Sequence, residues 1–392
     1  MTVFIDIIGL GIVIPVLPFY VQSYSGSPLV ITVLFSIFAL CSFISAPLMG
    51  ALSDKYGRRP ALIASITSTS IGWFIFAFAP SLAFLFLGRI VDGLAAGNMP
   101  IAQSALIDIS KDNKERAANL GMIGAIFGIG FIVGPFIGGT LGHFGHNIPF
   151  LFVGILAGIN ALLAYLFLPE TNKIDLATRE SMVQDTNPFN PIMRAFRNKA
   201  LRPNYLALLF FGLAVTATQS VFSLYIQQVF GFREFAVGLI FTGTGIVIAV
   251  NQGVMMRHFW LKYFKEPVLE LWMLLFFALG YLIMSFPNIW FFGLGIILTT
   301  FGQSVLRVVM NAQIIARAGL ASRGEALGAS YSVLMLSGAL APVVAGSLYT
   351  LNLRFPFYLG SIFLLIAFGI IFKARRTLPK ELPDDIPVIS EV

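Results

Sequence analysis

Three ionisable side chains stand inside long apolar stretches of this sequence, where a charge is costly. Asp6 lies in Phe-Ile-Asp-Ile-Ile-Gly, and Arg89 with Asp92 lies in Leu-Gly-Arg-Ile-Val-Asp-Gly. An ionisable group in such a stretch is a functional candidate by default. Asp6 and Asp92 are therefore candidates for taking up and releasing a proton. Arg89 and Asp92 share one helix face, so protonation of Asp92 would free Arg89 for another partner such as Asp6.

Each of these residues also has a purely structural interpretation. Asp6 comes close to the start of its apolar run, where it would be an interfacial carboxylate at the beginning of a helix. Arg89 and Asp92, at positions i and i+3, would then simply neutralise one another as an ion pair. The residue types and their spacing leave both interpretations open.

A short basic turn between two apolar runs reads Gly50-Ala-Leu-Ser-Asp54-Lys-Tyr-Gly57-Arg58-Arg59-Pro. Gly57 can supply the positive φ of a turn, and the proline suits the first turn of a following helix. An ordinary basic hairpin explains the cations, but it does not explain the acidic Asp54 among them. We call this segment, residues 50–60, the signature loop.

A later apolar run is rich in glycine and contains one proline. Proline removes a backbone hydrogen bond and bends a helix, while glycines let a neighbouring helix approach closely. The pattern predicts a kinked, tightly packed helix. Its defining residues are Gly130, Gly134, Pro135, Gly138 and Gly139.

Other polar residues in apolar runs are candidate substrate contacts, with helix–helix hydrogen bonds as the alternative. They are Asn98, Gln103, Gln219, Asn251, Gln252, Gln303 and Arg307.

His143 and His146 have no third metal ligand near them, and the one cysteine, Cys41, lies in an apolar run. We expect no metal site and no bound cofactor. We also expect no enzyme, because no Ser/His, HExxH or paired-carboxylate pattern occurs.

The elements that carry these residues follow from composition. Of 392 residues, 57% are hydrophobic and 11% charged, and the mean hydropathy is +0.87, whereas soluble proteins average about 25% charged residues. Runs of about 20 apolar residues can cross a bilayer. These features predict an all-α integral membrane protein with twelve transmembrane helices. The predicted spans are 1–22, 29–50, 60–79, 82–106, 117–141, 147–168, 204–229, 236–256, 267–286, 289–311, 324–350 and 355–373.

A polar, proline-containing gap divides these spans into two sets of six. Pro135 and Gly139 recur as Pro342 and Gly346 at a constant offset, so the halves read as a duplication. Paired repeats of this kind place a substrate site between them near the bilayer midplane. The predicted domains are an N-terminal bundle (1–168), a cytoplasmic linker (169–203), a C-terminal bundle (204–373) and a cytoplasmic tail (374–392).

The basic residues predict an orientation. Of the 25 Lys and Arg residues, Arg233 and Arg354 alone fall on the side opposite to the signature loop, and Arg89 and Arg307 fall within spans. Cytoplasmic loops carry such an excess of cations. We therefore expect both termini in the cytoplasm of a multi-pass protein of the cell membrane, which is the inner membrane if the protein is bacterial. The net charge of +7 reflects this topology rather than binding of nucleic acid.

The signature loop resembles the loop between the second and third helices of the major facilitator superfamily. The Gly130–Gly139 pattern resembles the antiporter motif of drug:proton exporters, and the segment from Asp6 to Glu170 looks like the tetracycline-efflux antiporters. The resemblance implies a major facilitator fold of two pseudo-symmetric six-helix bundles. It also implies a latch in which the loop's Arg58 pairs with Asp108 and its Asp54 meets the start of the eleventh helix near Ala329. The latch residues are Gly50, Asp54, Gly57, Arg58, Arg59 and Asp108.

The resemblance further ties the fourth-helix Arg89 to proton transfer, and one departure accompanies it. Tetracycline exporters carry an acid in the third helix near Gly72, and this chain instead has an extra acid at Asp92. The expected function is proton-driven antiport that exports small amphipathic molecules by alternating access, in a lipid bilayer and as a monomer. The alternatives are an uptake symporter or facilitator for a metabolite, and a membrane sensor without transport.

Overall fold

A computed structural model of the chain describes residues 2–24, 26–111, 113–172, 187–318 and 323–377. Within these ranges every regular element is a helix, so the predicted all-α class is confirmed. The predicted linker residues 173–186 and the tail residues 378–392 lie outside the described ranges.

The helices in the first part of the chain are α1 (Thr2–Gln22), α2 (Pro28–Tyr56), α3 (Arg58–Ala77), α4 (Leu82–Leu94), α5 (Asn98–Ile109), α6 (Asn113–Gly142) and α7 (Ile148–Phe167). Those that follow are α8 (Asn190–Arg197), α9 (Arg202–Phe230), α10 (Glu234–Val250), a π-helix (Asn251–Trp260), α11 (Leu261–Tyr263), α12 (Glu266–Met284), α13 (Ile289–Ala318), α14 (Arg323–Leu351) and α15 (Phe355–Thr377). Eleven helical segments among the described residues are long and apolar enough to cross a membrane, and Ile126–Gly142 within α6 is a shorter apolar stretch.

The fourth predicted span is interrupted. Residues 82–106 were expected as one helix, but the structure divides the segment into α4 and α5 at residues 95–97. Pro100 explains the break, because a proline ring collides with the carbonyl group four residues earlier, that of Ala96. Ser65 of α3 satisfies freed backbone groups, since its hydroxyl donates to the Ala95 carbonyl and accepts from Gly97 N at 2.9 Å.

The eighth predicted span, 236–256, also differs from a regular helix. It begins as α10 and continues as the π-helix from Asn251. The Asn251 amide donates to Ser304 Oγ on α13 at 2.5 Å and accepts from Trp260 Nε1 at 2.6 Å. Gln252 Nε2 donates to the Ser304 carbonyl at 3.0 Å. Because π-helical segments are rare and need support, these contacts explain the local geometry.

The chain forms two compact units. One comprises Met1–Pro188 with Ile226–Gly245, and the other comprises Phe189–Tyr225 with Ile246–Val392. The first unit has an aromatic core in which Tyr20 donates to the Phe76 and Ala77 carbonyls at 3.1 Å. The second has its own, where Tyr281 accepts from the Thr218 hydroxyl at 2.6 Å. The domain bounds predicted from the sequence stay a prediction.

Candidate functional site

A hydrogen-bonded chain of polar side chains, buried except for the half-buried Asp6, links α1, α3, α4 and α5 in the first unit. Arg89 Nη2 donates to Asp92 Oδ2 at 3.1 Å, and the Thr69 side chain also hydrogen-bonds to Asp92. Asn98 Nδ2 lies 3.4 Å from Thr69 Oγ1 and 2.8 Å from Asp6 Oδ1. The two carboxylates are therefore connected through one hydroxyl and one amide. We call this set, Asp6–Asn98–Thr69–Asp92–Arg89, the polar chain.

This arrangement bears on two expectations from the sequence. Asp6 was expected as a partner for Arg89 once Asp92 is protonated, which stays a prediction; with the Arg89–Asp92 pair intact, the hydrogen-bond partner of Asp6 is Asn98. Asn98 was considered as a substrate contact, and the structure makes it the bridge between the acids. Thr69 was not predicted at all. For Asn98 the sequence does contain a signal, Pro100. The helix break before this proline makes Asn98 the first residue of α5.

The charge of Arg89 is held among aromatic rings. Its side chain is 2% exposed, and its Cζ lies 4.0 Å from the ring centre of Trp73, 4.8 Å from that of Phe38 and 5.5 Å from that of Phe76. A guanidinium within about 6 Å of a ring face is attracted by the ring quadrupole. The cation is consequently stabilised by two kinds of partner, the Asp92 carboxylate and the rings.

Close packing of α3 on α4 places Asp92 beside Gly72. A Cβ atom at Gly72 would lie 2.8 Å from the Gly88 carbonyl oxygen and 2.9 Å from Asp92 Cβ. The structure therefore has no room for a side chain at Gly72. The acid of this region stands on α4 instead of α3.

The signature loop is built around Arg58. Its guanidinium pairs with Asp54, lies 3.0 Å from Asp108 Oδ2 and donates to Ser53 Oγ at 2.7 Å. The structure thus brings together Arg58 and Asp108, one of the two contacts of the expected latch, and pairs Asp54 with Arg58 as well. Gly57 has φ = 108°, in the region that favours glycine.

Glu170, just after α7, holds this loop from the other side. Its carboxylate accepts from the backbone N–H groups of Arg58 at 2.9 Å and Arg59 at 3.1 Å, at the start of α3. A Cβ atom on Gly57 would collide with the same carboxylate. Partial burial raises the pKa of Glu170, but hydrogen bonds from the N–H groups of Asn172, Arg58 and Arg59 outweigh it and leave this pKa below its usual value. The sequence analysis missed this role of Glu170. The available signal was a single acid directly after the end of a helix, which could contact the cationic signature loop in the fold.

The glycine-rich helix α6 contacts two neighbours within the first unit. A Cβ at Gly134 would lie 2.8 Å from Gly11 Cα of α1. One at Gly139 would lie 2.9 Å from the Glu234 carbonyl oxygen and 3.2 Å from Gly238 Cα, both on α10. A Cβ at Gly130 would meet Ile7 of α1, and one at Gly138 would meet Ile12 of α1, at 2.5 and 2.9 Å respectively. The glycines therefore allow α6 to touch the backbones of both the Asp6-bearing helix and α10.

The remaining candidate substrate contacts are spread over both units. Gln103 lies on α5, Gln219 on α9, and Gln303 and Arg307 on α13, all of them at least partly exposed. Asn251 is 1% exposed and, like Gln252, is bonded to Ser304 within the second unit. Asn251 and Gln252 thus form helix–helix hydrogen bonds, the alternative that the sequence left open.

Other ionisable residues form polar contacts outside the polar chain and the signature loop. His146 Nδ1 lies 2.9 Å from Glu234 Oε1 rather than in a cluster of metal ligands, and none of the residues that the structure describes forms such a cluster. In the second unit Glu270 is 1% exposed, and its carboxylate lies 3.6 Å from Arg375 Nη2. Arg317 Nη1 donates to Asn204 Oδ1 at 2.8 Å.

Comparison with known proteins assigns the family from the sequence. The sequence profile described as Major Facilitator Superfamily matches residues 1–268 and 259–390. The chain is 25% identical to the tetracycline resistance protein, class H, of Pasteurella multocida over 96% of this chain and 95% of that protein. It is 27% identical to the quinolone resistance protein NorA of Staphylococcus aureus, over 91% and 90% of the two chains.

Solved structures share the fold at lower identity. The human organic anion transporter MFSD10 (TETRAN) superposes with a TM-score of 0.71 at 22% identity, covering 94% of this chain and 97% of that one. A bacterial homolog of the human lysosomal transporter Spinster, in an inward-facing and occupied conformation, gives a TM-score of 0.74 at 15% identity, covering 96% and 95%. At these identities the comparison supports the helical architecture alone.

Proposed function

The chain belongs to the Major Facilitator Superfamily, and we propose that it is a proton-coupled antiporter exporting small amphipathic compounds by alternating access. Two relatives that it matches over about nine-tenths of its length are named for resistance to tetracycline and to quinolones. The glycine-rich pattern of α6 favours export over uptake, because it resembles the antiporter motif. A proton gradient is the energy source, and no bound cofactor is required.

The observation that carries this proposal is the polar chain. A buried carboxylate is stable only when it is protonated or paired with hydrogen-bond donors and cations. In the present state Asp92 is paired with Arg89 and Thr69, while Asp6 has the Asn98 amide. When either acid binds a proton, its carboxyl group can donate a hydrogen bond as well as accept one. The hydrogen bonds of the bridging hydroxyl and amide then have to change. Occupancy at one acid therefore changes the free energy of ionising the other.

Arg89 allows the proton to leave and return without leaving a buried cation unsupported. When Asp92 is protonated, the ion pair weakens, but the Trp73, Phe38 and Phe76 rings still surround the guanidinium. If one facing state of the transporter favours the ionised pair and the other favours protonated Asp92, the proton gradient biases the same equilibrium as the substrate does. This is the energetic requirement of coupled antiport.

Helix α6 is proposed as the element that transmits the effect of protonation from α1 to α10. Gly134 brings α6 against Gly11 of α1, and Gly139 brings it against Gly238 of α10. A shift of α1 on protonation of Asp6 cannot be absorbed by side chains at these backbone contacts. It is therefore transmitted through α6 to α10.

The proposal also includes an orientation and a state of assembly. The signature loop, with its Arg58–Asp108 pair, lies on the cytoplasmic side of the cell membrane, and both termini lie there as well. The transporter works as a monomer, with protons, small-molecule substrates and lipid as its partners.

Proton release from purified protein in detergent tests the function directly. Lipophilic cations, fluoroquinolones and tetracycline–magnesium complexes are added between pH 5 and 9, and released protons are followed with a pH indicator. We expect release with at least one compound class, and we expect it to disappear in the Asp6→Asn and Asp92→Asn variants while the tail variant Glu381→Gln retains it.

Three outcomes would contradict the proposal. Ligand binding without proton movement in the wild type indicates a uniporter or a sensor. Full gradient-driven transport by both Asp→Asn variants in proteoliposomes removes the polar chain from proton coupling. Accumulation of substrate on the proton-receiving side, instead of exchange, identifies an uptake symporter.

A further inference from the structure

The helix α8 and the residues after it form an exposed basic segment at the start of the second unit. Arg194, Arg197, Lys199 and Arg202 are all exposed. No Asp or Glu occurs from residue 186 through residue 233, so the segment itself contains four cations and no acid. We call Phe189–Arg202 the basic segment. Four cations beside a membrane-spanning helix form a surface that attracts anions.

The helix has an inner and an outer apolar face. Ile192 and Ala195 are buried, at 8% and 5% exposure, where α8 packs against α14. On the outer side, Phe189 is 52% and Met193 is 46% exposed, and their four-residue spacing places them on one face. An amphipathic helix with basic residues and an outward apolar face is typical of a helix lying in a membrane interface.

A cavity of about 100 Å³ opens beside this helix within the second unit. Polar side chains of Arg194, Asn198 and Tyr205 line it together with apolar ones, and Ala326 of α14 is also part of its wall. A water molecule needs roughly 10–15 Å³ of such space, so the cavity can hold several waters. That is room for a compact oxyanion such as a phosphodiester group. The cavity therefore adds a defined polar recess to the charged surface.

We propose that the basic segment is a binding site for anionic phospholipid of the cytoplasmic leaflet. Phe189 and Met193 enter the acyl boundary, Arg197, Lys199 and Arg202 attract the negative leaflet, and a lipid phosphodiester lies in the cavity beside Arg194 and Asn198. The inference rests on the orientation given in the proposed function. Charge complementarity selects this occupant, because the bilayer supplies anionic headgroups at the depth where α9 begins.

The cavity also links the lipid to elements that support transport. It is bordered by the end of α13 at Ala318, the start of α9 at Tyr205, and α14 at Ala326 and Ala329. A headgroup in this recess would contact three helices of the second unit at once. Anionic lipid bound in this recess should therefore raise the stability of the folded second unit.

Thermal unfolding of the purified full-length protein in detergent tests the proposal. Short-chain phosphatidylglycerol or phosphatidylcholine is titrated in, and lipid adducts are counted in parallel by native mass spectrometry. We expect phosphatidylglycerol to raise the unfolding temperature more than phosphatidylcholine. The triple variant Arg194→Gln/Arg197→Gln/Lys199→Gln should bind phosphatidylglycerol at least tenfold more weakly.

The matched control removes the same charge elsewhere on the same side. Arg257, Lys262 and Lys265 are exposed in the second unit, and their triple Gln variant should keep the lipid-dependent shift. A second variant, Phe189→Ser/Met193→Ser, should weaken lipid binding without a change in charge. Equal shifts with both lipids, or an unchanged shift in the first triple variant, overturn the proposal.

Two other occupants are separated by the same measurement. If a shift of equal size occurs with inorganic phosphate alone, the cavity binds a free anion and the lipid assignment fails. If phosphatidylglycerol acts only after truncation behind Thr377, the acidic tail with Glu381, Asp384 and Asp385 is the occupant instead.

Lipid binding is measured without transport, so the two proposals fail separately. Retained proton coupling in Asp6→Asn and Asp92→Asn would refute the proposed function, while retained lipid binding in the same variants would leave the lipid site in place.

Discussion

Thr69 and Asn98 decide whether the two acids of the polar chain act together or separately. Each has a side chain that can both donate and accept, and each contacts one acid and the other bridging residue. Asn98 donates towards Asp6 and Thr69, while the Thr69 side chain is hydrogen-bonded to Asp92. Their own hydrogen-bond directions therefore depend on which acid carries a proton. A neutral bridge of this kind couples two titrating groups without adding another charge to the bilayer interior.

Replacing the bridging hydroxyl tests this coupling with little change of shape. Thr69→Val removes one hydrogen bond to a charged group, an interaction worth about 1.5–3 kcal/mol. We expect gradient-driven transport to fall by roughly tenfold or more, with substrate binding retained. Thr67→Val on the exposed side of the same helix is the matched control. Equal activity of the two variants would show that the hydroxyl does not participate in coupling.

Glu170 predicts a pH dependence of stability at the signature loop. Its pKa is lower in the folded state, so its contribution is fully present above the unfolded pKa and is lost as the pH falls through the folded pKa. A cap on exposed N–H groups is worth about 1 kcal/mol. Glu170→Gln should therefore lower stability near neutral pH and lose less stability on acidification. The measurement is the unfolding midpoint in detergent between pH 3 and 7, and identical pH profiles for the two proteins would contradict the prediction.

The same residue explains why position 57 requires glycine. Gly57→Ala meets two costs, a positive φ for a residue with a side chain and a collision with the Glu170 carboxylate. In a Glu170→Ala background only the first cost remains. A double-mutant cycle should therefore show that Gly57→Ala is less destabilising when Glu170 is absent. Additive effects would mean that the backbone conformation alone selects glycine.

At the level of elements, the sequence predicts the spans well because each needs only about 20 apolar residues in a row. What it does not predict is where a span departs from regularity. The break before α5 was available from Pro100, but the π-helix depends on Ser304, about fifty residues away in the sequence. The pairing of Asp6 with Asn98 depends likewise on the register of two separate helices. Such contacts have no local sequence signature.

The α6–α10 contact gives the element-scale prediction. A Cβ at Gly238 would lie 2.6 Å from the Pro135 carbonyl oxygen and 3.0 Å from Gly139 Cα, whereas one at Gly243 has nothing within 4 Å. Gly238→Ala should separate α10 from α6 and reduce transport several-fold. Gly243→Ala, on the same helix, should leave transport unchanged, since alanine is the better helix former by about 1 kcal/mol. Transport rates in proteoliposomes, normalised to protein amount, distinguish the two, and equal loss would argue against a specific contact.

For the whole molecule, charge distribution relates the separate sites to one membrane. In the topology predicted from the sequence, the signature loop, its Glu170 partner and the basic segment all fall on the side that carries the excess of cations. The polar chain lies within the spans of the first unit. The proposed roles therefore require one orientation in common. A loop that latches, a linker helix that binds lipid and a chain terminus beyond α15 all have to face the cytoplasm.

Cysteine accessibility tests that orientation in the intact cell. Cys41 is the one native cysteine, so Cys41→Ser provides a background for single exposed cysteines. With a membrane-impermeant maleimide, Phe144→Cys and Asn352→Cys should be labelled from outside, whereas Lys111→Cys and Lys199→Cys should be labelled only after permeabilisation. The reverse pattern would place the Arg58–Asp108 pair outside the cell and the basic segment against the outer leaflet. Because cytoplasmic anionic lipid would then be out of reach, the lipid site and the latch would both have to be abandoned, while the polar chain within the spans would remain a candidate for proton coupling.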